Sequence, residues 1–198
     1  MRRLNAVGFV LALAACSPEH STGSVAEASV TPPPVQCQAT ASRDWSAVGS
    51  QYYVIEAEAT GRTCAEAVAT MRVRSTDGAV LFEREYPIMH VPLAFNPNND
   101  QTGLRSDLEG WTQNTAQSAT ADTLPPWPSG ARNPPGFQPA VTRGQYELAR
   151  GNQGPLFCFP DGAESNACVA MAGATATLLG SWTPEMAPAP EEDPAPSE

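Results

Sequence analysis

The sequence predicts an α+β fold, an antiparallel β-sheet carrying two helices. Three observations predict it: apolar–polar alternation over Gln51–Thr60, an Asp-Gly turn flanked by alternating residues within Ala67–Tyr86, and helical apolar spacing across Thr102–Gln117.

In Gln51–Thr60, Tyr53, Ile55, Ala57 and Ala59 fall on one side and Glu56 and Glu58 on the other, the signature of a half-buried strand. Gly49-Ser50 is a turn signal that makes Ala39–Val48 its hairpin partner. Placing Asp77-Gly78 at the tip of the next hairpin pairs Val73 with Phe82, Ser75 with Val80 and Ala69 with Tyr86. The same register sets Arg72 opposite Glu83 and Thr70 opposite Glu85 on the other face, so apolar and charged pairs separate as a correct register requires. Arg84 opposite Met71 is the misfit, and marks a point where the strand would leave the sheet.

In Thr102–Gln117, Leu104, Leu108, Trp111 and Thr115 recur at helical spacing, with Gly110 as a weak point. A shorter helix is expected over Arg143–Arg150, with Thr142 as its cap and Gly151 as its stop. Gly154–Pro160, Asn166–Ala172 and Thr175–Trp182 read as three successive strands.

Flanking this core are segments of different character. The chain of 198 residues contains 11 arginines, no lysine, 21 acidic residues and 20 prolines. Seven of the acids and nine of the prolines lie in Ser17–Gln36 and Pro184–Glu198, which carry no arginine. Such composition cannot bury a core, and both segments are expected to be disordered. The expected organisation is a signal peptide over 1–15, a lipidated cysteine and Pro/Ser/Thr linker over 16–36, a globular domain over 37–183 and an acidic tail over 184–198. The domain itself has 14 acids against 9 arginines, a net of −5. The net charge of −10 over the whole chain and its pI of about 4.6 argue against a nucleic-acid binder, which needs a basic face. No apolar run reaches the roughly 20 residues needed to span a bilayer.

At the N-terminus, Met1-Arg2-Arg3 precedes the short apolar run Ala6–Ala14, which ends in Leu13-Ala14-Ala15-Cys16. This segment resembles a bacterial lipoprotein signal with its lipobox. The resemblance implies export, diacylglycerol on the Cys16 thiol, cleavage before Cys16 and attachment to a membrane. Ser17 after the cysteine favours the outer membrane, facing the periplasm, over the inner.

With Cys16 assigned to lipid, four cysteines remain. Cys158 and Cys168 lie symmetrically about Ala163, so a bridge between them would cross a hairpin, leaving Cys37 to pair with Cys64. The rival, a zinc site of all four, lacks the close C-x-x-C pairs such sites show.

Candidate chemistry is sparse. His90 is the one histidine of the domain, and either acts as a general base with Glu85 or Asp100 or simply sits at a strand edge. No nucleophile elbow and no phosphate-binding glycine loop is present. Asn96–Asp100, with Asp107 at the twelfth position, resembles the opening of a calcium loop but departs from it at its first, glycine and last positions. A polar turn capping the next helix is the preferred reading, and no metal or cofactor is assigned. The proline-rich stretch Leu124–Pro139 contains Trp127 and Phe137, which either form a rigid binding surface or pin the loop onto the core.

Function is therefore expected at the level of class: a membrane-anchored envelope lipoprotein whose domain binds a protein or cell-wall partner without catalysis. The alternatives are an envelope hydrolase built on His90 and nearby carboxylates, and an inhibitor of a basic hydrolase such as lysozyme.

Overall fold

The computed structural model describes residues 36–116 and 120–183. Cys16, the linker up to residue 35, Gln117 at the end of the expected first helix, and the tail 184–198 lie outside the described residues.

Two antiparallel sheets of four strands and two helices make up an α+β fold. The first sheet follows chain order: β1 (Cys37–Ala47), β2 (Gln51–Gly61), β3 (Val68–Ser75) and β4 (Val80–Pro87). Alternation in β2 places Tyr53, Ile55, Ala57 and Ala59 in the core, while Glu56 and Glu58 face outward. The β3–β4 register is the expected one from Val68↔Pro87 to Val73↔Phe82.

Nearer the tip the register differs, and the turn explains why. The Ser75 N–H donates to the Ala79 carbonyl and the Gly78 N–H to the Ser75 carbonyl, so the loop holds three residues rather than two. Gly78, at φ 89°, supplies the left-handed position that such a loop needs. Arg74 consequently pairs with Val80, and Leu81 is the extra residue that restores the register below it. The strand does not leave the sheet at Arg84 either. Pairing runs on to Pro87, and the exposed Arg84 guanidinium lies 5.5 Å from the centre of the Tyr86 ring.

The second sheet has the order β5-β8-β7-β6, formed by β5 (Phe137–Pro139), β6 (Leu156–Pro160), β7 (Asn166–Ala172) and β8 (Thr175–Trp182). The three strands expected here are present, while β5 arises inside the segment expected to be loop. The division into two sheets follows from burial on both faces of β6 and β7. Phe157, Phe159, Ala167, Val169 and Met171 pack against the first sheet. Leu156, Cys158, Cys168 and Ala170 face a second core with Tyr146, Leu124 and Phe137. A strand apolar on both faces needs cover on both, and the second sheet is the middle layer.

Helix α1 (Gln101–Trp111) packs on β1 and β2, burying Leu104, Leu108 and Trp111. The sheet surface at that end is made of Ala39, Ala57, Ala59 and Ala69, whose small side chains admit the helix backbone. Asp100 caps the helix, its Oδ1 accepting the Gly103 N–H at 2.9 Å. The helix stops at Trp111, short of the expected end, because the next residues are held by β6. Asn114 donates from Nδ2 to the Leu156 carbonyl and accepts the Cys158 N–H at Oδ1, and the Thr115 N–H donates to the Cys158 carbonyl. Helix α2 (Arg143–Gly151) begins at Thr142 with a capping box completed by Gln145 and buries Tyr146.

Both disulfides are present as expected. Cys158 pairs with Cys168 directly across β6 and β7, and Cys37, the first residue of β1, bonds Cys64 in the β2–β3 loop.

Candidate functional site

The domain offers two surfaces with binding character. The first is a short turn that follows β4. Ile88 and Val91 are fully buried and Phe95 anchors the same segment, with the Phe95 and Ala94 N–H groups both donating to the Val91 carbonyl. Between these anchors the chain displays Met89, 65% exposed, and Leu93, 52% exposed, together with exposed His90 and Pro92. Large apolar side chains exposed singly need no explanation, but here two lie four residues apart on a turn whose backbone is held by buried anchors.

His90 therefore stands at the centre of an apolar tip rather than in a cleft. Among the described residues it forms no ion pair, and the structure does not join it to Glu85 or Asp100. Asp100 is engaged instead as the cap of α1.

The second surface is an open groove of about 670 Å³ beside β1. It is lined by Thr40–Arg43 of β1, Glu56, Ala57 and Glu58 of β2, Arg72 of β3, and Arg105 and Glu109 of α1. Strand alternation puts Glu58 and Arg72 on the outer face of β2 and β3, away from the face on which α1 packs. Arg72 bridges Glu58, at 3.1 Å, and Glu83 on β4. These hydrogen bonds, first Glu83 and then Glu58, hold its guanidinium above the ordinary arginine range, so it stays a fixed cation. Arg74 likewise pairs with Glu56. The groove is thus charge-balanced, contains no histidine or cysteine, and presents hydroxyls and strand backbone suited to hydrogen bonding.

The calcium-loop resemblance resolves as a hydrogen-bonded turn. Asp107 Oδ2 accepts the Asn96 N–H at 3.0 Å and Asn99 Nδ2 at 2.9 Å, which ties the loop to α1. Among the described residues no group of three or more His, Cys, Asp or Glu is placed to hold a metal ion.

In the proline-rich stretch, pinning prevails. Phe137 is buried and packs on Tyr146 with ring centres 5.2 Å apart, so it is not available to a ligand. Trp127 is half-buried, stands edge-on to Tyr146 at 5.6 Å and donates its indole N–H to the Ala131 carbonyl. The Tyr146 hydroxyl donates to the Pro125 carbonyl at 2.8 Å, and burial pushes its pKa up to about 12.

Cys16, the residue on which anchoring depends, lies outside the described residues. No helix among them is long and apolar enough to cross a membrane. Sequence reasoning missed both surfaces. Met89 and Leu93 look like strand or core residues in one dimension, and the groove joins residues from β1, β2, β3 and α1 that no local pattern associates. Comparison with protein-family models, curated proteins and solved structures finds no match to this chain.

Proposed function

We propose that this chain is an envelope lipoprotein, held to a membrane by acylated Cys16, whose domain binds a protein partner and does not turn over a substrate. Anchoring is supported by Leu13-Ala14-Ala15-Cys16 at the end of a short apolar run. The two disulfides suit an oxidising compartment such as the bacterial envelope. Binding is carried by one observation, the anchored turn that displays Met89, His90, Pro92 and Leu93. Methionine and leucine side chains suit a partner protein better than a polar cell-wall glycan, because desolvating them against apolar atoms supplies the driving force. His90 then serves as a polar contact within the patch.

The anchor is tested by Cys16→Ala, which should abolish acyl labelling and membrane fractionation; unchanged anchoring would overturn that half of the reading. The binding role is tested by a photocrosslinking residue at Met89 or Leu93 in cells, with the exposed position Thr76 on the far turn as control. A specific covalent adduct with an envelope protein, lost in a Met89→Asp/Leu93→Asp variant, is expected. Equal labelling at the control position would refute the assignment of this surface.

A further inference from the structure

Among the described residues the sheet edges are closed in different ways, and one is left without a partner. The outer edge of β6 is covered by residues 111–115, which bond the Pro160, Cys158 and Leu156 carbonyls and the Cys158 N–H. Strand β5 has only three residues and ends in Pro139. Strand β4 carries a bulge, the charged run Glu83–Glu85 and a terminal proline. These are the recognised devices that stop a sheet from recruiting another chain. Strand β1 carries one of them, the charged residues Arg43 and Asp44 near its middle, but not the others. It runs for 11 residues without proline or bulge, pairs only with β2 among the described residues, and faces the open groove along Thr40–Arg43.

We propose that β1 is a dimerisation edge, on which β1 of a second copy pairs antiparallel about a two-fold axis at Ser42, joining two four-stranded sheets into one of eight strands. The occupant is argued from the strand's own sequence. On the core-facing side, its first half carries the small residues Ala39 and Ala41 and its second half the large residues Arg43 and Trp45. Antiparallel self-pairing sets each small half against a large one.

Register follows from two constraints. Directly opposed residues of antiparallel neighbours share a face, so core-facing residues must meet core-facing residues. An axis at Arg43 or Asp44 would oppose like charges, which is destabilising. An axis at Ser42, the midpoint of Cys37–Ala47, pairs the whole strand and sets Asp44 against Thr40 and Arg43 against Ala41. Arg43 makes no ion pair among the described residues, and this register sets it opposite the small Ala41 of the second copy. Full pairing supplies about ten inter-strand hydrogen bonds, the number found in an interface of standard size. The inference does not depend on lipid anchoring or on the Met89–Leu93 patch.

The test uses the full-length chain with its native disulfides and Cys16→Ser, so that each introduced cysteine is the single free thiol, oxidised by copper–phenanthroline. Ser42→Cys places two thiols face to face across the axis, within disulfide reach. Asp44→Cys, on the same edge and face, separates them by about 14 Å along the strand, and Thr76→Cys lies on a distant turn. Cross-linked dimer should form with Ser42→Cys at least about tenfold faster than with either control. Sedimentation equilibrium should give a dimer for the unmodified chain and a monomer for Ser42→Lys, whose exposed position leaves the fold intact by circular dichroism. A monomeric unmodified chain, equal cross-linking at Thr76→Cys, or faster cross-linking at Asp44→Cys would each overturn the proposal.

Discussion

Asn114 Oδ1 accepts the Cys158 amide N–H at 2.8 Å, across 44 residues of sequence. The same side-chain amide donates to the Leu156 carbonyl at 2.9 Å, so one residue takes the place of a neighbouring strand at the β6 edge. It also explains where α1 ends, since a helix continued through residue 114 would leave both β6 groups unpaired.

Asn114→Ala should therefore destabilise the domain by about 2–4 kcal/mol, the cost of leaving two largely buried backbone groups unsatisfied. Asn114→Asp keeps the acceptor but loses the donor, and should fall between the two. Urea denaturation of the oxidised protein reads the difference, and a loss below about 0.5 kcal/mol for Asn114→Ala would refute the edge-closing role.

The two disulfides close chain segments of different length, with separations of 27 residues for Cys37–Cys64 and 10 for Cys158–Cys168. Loop-closure entropy predicts contributions of about 3.5 and about 2.7 kcal/mol. Paired alanine variants should show the larger loss for Cys37→Ala/Cys64→Ala. The reverse order would mean that packing around Cys158 and Cys168, both buried, outweighs chain entropy.

Two glycine substitutions should act in opposite directions. Gly180 has φ 148°, and a Cβ there would meet the Gln138 carbonyl oxygen at 2.1 Å. Gly180→Ala should push β5 off β8 and cost about 3 kcal/mol or more. Gly110, by contrast, is exposed on α1 with nothing within 4 Å of its added Cβ, and Gly110→Ala should stabilise by about 0.5–1 kcal/mol. Thermal or urea unfolding of both variants checks the signs.

Alkaline pH should unfold the domain through its tyrosines. Burial raises the pKa of Tyr146 to about 12 and also raises those of Tyr86 and Tyr53. The fold thus binds these phenolic protons more tightly than the unfolded chain, which releases them near pH 10. Stability from these groups is complete below about pH 10 and falls as pH rises toward about 12, by up to about 1.4 kcal/mol per pH unit for each tyrosine. Tyrosinate absorbance should rise together with loss of near-ultraviolet circular dichroism; ionisation of all four tyrosines in a folded protein near pH 10 would contradict it.

Local chemistry was the legible part. Alternation in β2, the Asp-Gly turn between β3 and β4 and the Thr142 cap of α2 each depend on residues adjacent in sequence, and each appears where expected. The Cys158–Cys168 pair was readable because a hairpin is symmetric about its turn. Where a local helix and a distant strand compete for a residue, reading failed: Thr115 fits the helical spacing and Asn114 lies within the expected helix, yet β6 claims their polar groups. The β3–β4 tip differed for a local reason, the choice of a three-residue loop over a two-residue one, and the bulge at Leu81 cancelled the error within three residues.

By itself, the sequence determined the element types, the disulfide partners and the acidic, proline-rich flanks, because periodicity, turn chemistry and composition act along the chain. Only the tertiary structure decided that eight strands divide into two sheets, since a strand apolar on both faces does not say what covers each face. It alone turned Phe137 into core, raised Met89 and Leu93 to the surface, and left β1, among the described residues, with a partner on one side only. Exposure and edge position are relations between distant segments, and no pattern within one segment encodes them.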